Sequence, residues 1–118
     1  MKLTKEYLEK WLYGFKKVWL DKNLDGLVPI FGKIEKYYES PFLEPGKNIN
    51  DVINFWKEIE NQEIIKLEME VVCIENNTGI VYWFFEDTLM KYDGIYLIKF
   101  NEDLNCVEFR LWSVKKEK

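Results

Sequence analysis

The sequence predicts an α+β domain, with helices gathered in its first half and antiparallel strands in its second. Near the N-terminus, Leu8, Trp11, Leu12, Phe15, Val18 and Trp19 recur at the helical period. Further on, Ile65, Leu67, Met69, Val71 and Cys73 alternate with Lys66, Glu68 and Glu70, a period of two. Turn residues then separate the apolar runs that follow.

Taken in order, Thr4 is placed to cap a helix running to about Asp21, with Lys5, Glu9, Lys16 and Lys17 outside the apolar stripe. Asn23 to Phe31 reads as a short second helix or turn, where Pro29 is tolerated only in the first turn. Ile34 to Ser40 reads as a strand that stops at Pro41, which has no N–H to give a ladder. Pro45-Gly46 is a turn, and Asn48 caps a helix to about Glu60 with Asp51 in the capping-box position. After the alternating strand, Asn76-Asn77-Thr78-Gly79 makes a hairpin turn. Ile80 to Glu86 is apolar on both faces, with Tyr82 and Phe84 on one and Val81, Trp83 and Phe85 on the other. Asp93-Gly94 marks a turn or bulge before the strand Ile95 to Phe100, and Asn101 to Asn105 turns the chain into Cys106 to Val114. The helices pack on one sheet face. The apolar outer side of Ile80 to Glu86 needs its own cover, either a homodimer through that face or a sheet that curls over itself.

At 118 residues the chain forms one domain, 1–118, with a sizeable core. Five Trp, seven Tyr and eight Phe are a heavy aromatic load, suited either to an aromatic-lined cavity or to a well-filled core. The net charge of −4 argues against nucleic acid as a partner. With no histidine, a Ser-His-Asp triad, an imidazole base and an imidazole metal ligand are all excluded. Arg110 is the one arginine, and hence the one rigid bidentate donor. Cys73 and Cys106 lack metal-type spacing and read as buried free thiols in strands, so neither a metal nor a cofactor is expected. The N-terminus leads directly into an amphipathic helix with no signal peptide, and no apolar run is long enough to span a bilayer. A cytoplasmic protein without membrane contact is the expectation.

Tyr37-Tyr38-Glu39-Ser40-Pro41-Phe42, then Gly46 and Ile49 to Phe55-Trp56, resembles the pattern of the nuclear transport factor 2-like superfamily, which includes SnoaL-like proteins and ketosteroid isomerases. Leu24-Asp25-Gly26 is similar to the short helix before that family's first strand. Asp93-Gly94-Ile95 through Phe100, with Phe109-Arg110-Leu111-Trp112, is similar to the closing hairpin of SnoaL-like members. The resemblance runs over most of the chain and implies a cone-shaped fold, N-terminal helices packing on a curved, mainly antiparallel sheet.

It also implies a pocket with Phe15, Tyr38, Ser40, Trp56, Tyr96, Arg110 and Trp112 around it. The isomerase mechanism needs a carboxylate base, a tyrosine phenol and a protonated aspartate. By resemblance these positions hold Ser40, Phe15 and Tyr96, so base and phenol are both replaced, unless the alignment slips by a residue and Glu39 stands in for the base. Glu86 with Asp87 is a further acid/base candidate. If Tyr96 points inward, so do Gly94 and Ile98. Trp112 falls where related isomerases place a pocket aromatic, with Arg110 and Glu108 on its face. Arg110 then pairs with Glu86, Glu108 or Glu39, binds a ligand's carboxylate or carbonyl, or lies at the rim.

Three functions follow. The first is binding of a small hydrophobic molecule in a SnoaL-like pocket. The second is an isomerase- or dehydratase-type enzyme acting on a polycyclic or polyketide-like substrate, with Glu39 or Glu86 as base and Tyr96 as donor. The third is a protein-interaction module using the outer sheet face.

Overall fold

The computed structural model describes residues 1–118. Its elements are α1 (Lys5–Leu20), a 3-10 turn (Leu24–Gly26), α2 (Leu27–Phe31), β1 (Lys36–Tyr38), α3 (Ile49–Phe55), a second 3-10 segment (Lys57–Asn61), β2 (Ile64–Glu75), β3 (Thr78–Asp87), β4 (Met90–Phe100) and β5 (Cys106–Glu117). The fold is α+β: three helices beside a five-stranded sheet ordered β1-β5-β4-β3-β2. All neighbours are antiparallel except β1 with β5.

Local chemistry sets the helix starts. Thr4 Oγ1 accepts from the Tyr7 N–H at 3.1 Å, and Asn48 Oδ1 accepts from the Asp51 N–H at 3.0 Å. Asp51 reaches back past the cap to the Lys47 N–H, at 2.8 Å. The α1 stripe buries Leu8, Leu12, Phe15 and Trp19. It lies against the inner sheet face, where Leu67, Val81, Trp83, Phe85, Tyr96, Ile98 and Phe109 join it in one cluster of 21 buried residues.

Three elements differ from the sequence expectation. β1 is shorter than Ile34 to Ser40, because the Ile34 N–H closes a turn onto Phe31 and Tyr37 bridges to Gly46 through two 2.8 Å bonds. The helix expected to reach Glu60 loses its α geometry at Trp56, whose N–H is shared between Val52 and Ile53, and continues as 3-10. Asp93-Gly94 lies inside β4; the actual turn is Thr88-Leu89, where Asp87 Oδ1 accepts from the N–H groups of Leu89 and Met90 at 2.8 and 2.7 Å. Gly94 serves close approach: a Cβ there would run into the Trp112 carbonyl oxygen.

Two bulges control which side chains face inward. One lies between Val71 and Cys73, and beyond it Cys73 pairs with Ile80 on the outer face. Cys73 is therefore exposed, correcting the expectation that both thiols are buried. Cys106 is buried, and that burial pushes its thiol pKa up. The second bulge lies where Lys99 and Phe100 pair with Glu108 and Cys106, leaving Val107 as the extra residue. No helix is long and apolar enough to cross a membrane.

Candidate functional site

Between α1, α3 and the inner sheet face lies a cavity of about 240 Å³. Strand alternation supplies one wall: Trp83 and Phe85 from β3, Tyr92 and Tyr96 from β4, and Phe109, Leu111 and Ser113 from β5. Phe15 and Trp19, one helical turn apart on α1, supply the opposite wall. Tyr37, Glu39, Phe55, Trp56, Glu58, Ile59 and Gln62 complete it. Ten of the sixteen lining residues are aromatic, two are carboxylates, and none is Lys or Arg.

The polar groups of this lining fall into two sets. In the first, Trp19 Nε1 donates to Gln62 Oε1 at 2.9 Å, and Trp56 Nε1 donates to the Tyr37 hydroxyl at 2.9 Å. In the second, Glu39 Oε2, Trp83 Nε1 and the Tyr96 hydroxyl are buried without a hydrogen-bond partner. These three are the only such side-chain atoms in the chain, and all belong to residues lining the cavity. Leaving a buried polar atom unpaired costs about 1–3 kcal/mol, so these three are the polar side-chain groups the fold buries at a cost.

Glu39 follows β1 directly and is half-buried, although its Oε2 is sealed from solvent. Burial raises the pKa of its carboxyl, and hydrogen bonding to the Tyr37 hydroxyl offsets part of that rise. Both buried phenols respond: Tyr37 and Tyr96 are pushed well above the ordinary tyrosine value, first by burial and then by the charge of Glu39. Tyr37 thus accepts from Trp56 and sits close enough to Glu39 for each to influence the other's titration. Tyr96 stacks on Trp83, ring centroids 5.1 Å apart.

Of the residues expected around the pocket, Phe15, Trp56, Tyr96 and Glu39 line this cavity, whereas Tyr38, Ser40, Arg110, Trp112 and Glu86 do not. Arg110 and Trp112 do not share the inward face of Tyr96, because Tyr96 pairs directly with Leu111. The extra Val107 resets β5 after the buried Cys106, so Phe109, Leu111 and Ser113 point inward and Glu108, Arg110 and Trp112 outward. On that outer face Arg110 Nε bonds Glu108 Oε2 at 2.8 Å. Its guanidinium lies 4.1 Å from the centre of the Tyr38 ring. The Glu108 carboxylate raises the Arg110 pKa. Glu86 is also on the outer face, where the Lys118 ammonium holds its pKa below the usual carboxylate range. Ser40 accepts a backbone bond from Leu43 in the turn after β1.

Sequence reasoning left Trp83 and Tyr37 out of the site. The strand alternation puts Trp83 on one face with Val81 and Phe85. Its indole N–H was the usable signal, since a donor directed into an apolar interior has no sheet partner to satisfy it. No group of three or more His, Cys, Asp or Glu is placed to hold a metal.

No protein-family model matches the chain, and no curated protein matches its sequence. Solved structures do match its fold. The epoxide hydrolase/cyclase-like enzyme SalBIII, with a role in pyran ring formation in the polyether salinomycin, superposes with a TM-score of 0.76 at 12% identity, over 97% of this chain and 95% of that one. A SnoaL-like protein of unknown function from Burkholderia thailandensis E264 gives a TM-score of 0.70 at 11% identity, covering 95% and 98% of the two chains. A steroid delta-isomerase from Pseudomonas aeruginosa gives 0.68 at 12% identity, covering 90% of this chain and 78% of the other. The architecture is thus the NTF2-like cone, shared with SnoaL-like and ketosteroid isomerase-like proteins. Likeness at this identity concerns fold alone.

Proposed function

We propose that the chain binds a small hydrophobic molecule in the aromatic cavity, through an oxygen that meets the Trp83 N–H and the Tyr96 hydroxyl. The supporting observation is that the residues carrying the chain's three unpartnered buried polar atoms all line one apolar space. At about 240 Å³ the space is smaller than the roughly 300–1,000 Å³ typical of drug-sized sites, which favours a one- or two-ring ligand over a steroid-sized one. Protein-observed NMR with indole ¹⁵N labelling tests this. A library of one- and two-ring oxygenated compounds should shift the Trp83 Nε1 resonance, and the Trp83→Phe variant should weaken the same compounds. No perturbation of Trp83 by any of them would remove the proposal.

A second reading is an enzyme that moves a proton. It is favoured by Glu39: its raised pKa brings it toward the range in which a carboxyl both accepts and donates a proton, and it lines the cavity together with Tyr96. In this reading Glu39 takes a proton from carbon beside a carbonyl, and Tyr96 holds the oxygen on which charge develops. Solvent-deuterium exchange into bound one- and two-ring ketones, followed by NMR, tests it: exchange that Glu39→Gln abolishes supports proton transfer. Binding without exchange leaves the cavity a binding site only.

A further inference from the structure

From the charges around the cavity we infer that its ligand is a protonated amine on a one- or two-ring aromatic skeleton, the ammonium on Glu39 and an oxygen on Trp83. This rests on the binding reading above and names its ligand class.

The chain has 17 basic residues, and none lines the cavity, although two carboxylates, Glu39 and Glu58, do. Arg110, the nearest candidate by sequence, is held on the far side of the sheet by Glu108 and Tyr38. A ligand carboxylate or phosphate would therefore enter a low-dielectric space beside like charge with no counter-ion. A cation meets the reverse situation. Glu39 Oε2 lacks a donor, and an ammonium consists entirely of donors. Pairing with it would give the unpartnered Oε2 a charge-assisted hydrogen bond. Aromatic walls favour the same sign, since ring faces attract cations, and ten rings surround the space. The Trp83 N–H, a donor only, cannot serve the ammonium, so it asks for an acceptor at the ligand's other end. Tyr96, whose hydroxyl donates and accepts, can serve either pole.

Isothermal titration calorimetry with three probes of one skeleton tests this: para-methoxyphenethylamine, para-methoxyphenethyl alcohol and para-methoxyphenylacetate. The expected order is amine, then alcohol, then acetate, with the amine at least about tenfold tighter than the alcohol, the scale of a desolvated cation–π contact with its ion pair. In Glu39→Gln the amine should lose most of its advantage over the alcohol, keeping only what the rings supply. An alcohol or acetate that binds as tightly as the amine, or an amine advantage that survives undiminished in Glu39→Gln, overturns the inference and leaves the binding reading standing. If none of the three binds, the inference falls, and the binding reading is decided separately by the Trp83 NMR screen. The ranking in the unmodified protein decides the matter even if Glu39→Gln does not fold.

Discussion

Trp83 and Tyr96 lie face to face, ring centroids 5.1 Å apart and planes 7° from parallel, and neither the indole N–H nor the phenol has a partner. Across the ladder Trp83 is paired with Gly94, two residues from Tyr96, so the two rings meet on the diagonal. The stack is well packed and polar-unsatisfied at once, which separates its effect on stability from its effect on binding. Tyr96→Phe keeps the stack and removes a buried hydroxyl without a partner. It should raise stability by about 1 kcal/mol in urea unfolding while weakening ligand affinity. A loss of stability would mean that the hydroxyl is satisfied within the fold.

Glu39 makes stability depend on pH. Its folded pKa is raised, so the folded chain holds this proton more tightly than the unfolded one. The contribution is complete below the unfolded value, about 4.3 for glutamate, and is lost as pH rises through the folded value. Tyr37 and Tyr96, pushed up by burial, stay neutral over this range, and no Lys or Arg lines the cavity to oppose the trend. Glu86, held low by Lys118, has the opposite sign, but it lies on the surface and is screened. Urea midpoints measured across this window should decline for the unmodified chain relative to Glu39→Gln, and the two curves should converge at low pH.

Tyr37 has two duties: its hydroxyl accepts from Trp56 at 2.9 Å, and it offsets part of the rise in the Glu39 pKa. Tyr37→Phe orphans the Trp56 N–H and removes the group that holds the Glu39 carboxyl down. Thermal unfolding should show a loss of about 1–3 kcal/mol. A ¹³C carboxyl titration should place Glu39 higher still; an unmoved Glu39 would break the link between the two.

Phe15 meets six other rings, those of Trp11, Trp19, Phe31, Trp56, Tyr96 and Phe109. Phe15→Ala should cost about 3–5 kcal/mol by denaturant unfolding and enlarge the cavity, since structure around a deleted ring relaxes only in part.

On the outer sheet face, Tyr82 pairs with Ile95, Ile95 with Trp112, and Ile80 with Leu97, a band of apolar side chains across three strands. Trp112 is 39% exposed. Sedimentation should find a homodimer that closes two such faces on each other, and Ile95→Lys should give a folded monomer. An unmodified chain that is monomeric would leave this face to a different protein.

Element order was legible in the sequence because helical period, strand alternation and turn residues are local signals. Parity on β5 was not, because the bulge at Val107 depends on how Lys99 and Phe100 pair across strands. The same holds for Cys73, turned outward by the bulge beside Val71. Resemblance pointed to Ser40, while the carboxyl that reaches the cavity is its neighbour Glu39. The Trp83 N–H could be named from sequence, but its lack of a partner is a property of everything packed around it.

The bulge at Val107 also sets the electrical character of the interior. Had β5 continued in register from the buried Cys106, its wall would have been Glu108, Arg110 and Trp112. The observed wall is a phenyl ring, an isobutyl group and a hydroxyl. Whether the one arginine greets a guest or stays outdoors is thus decided at the far end of the strand, by a single residue of slack.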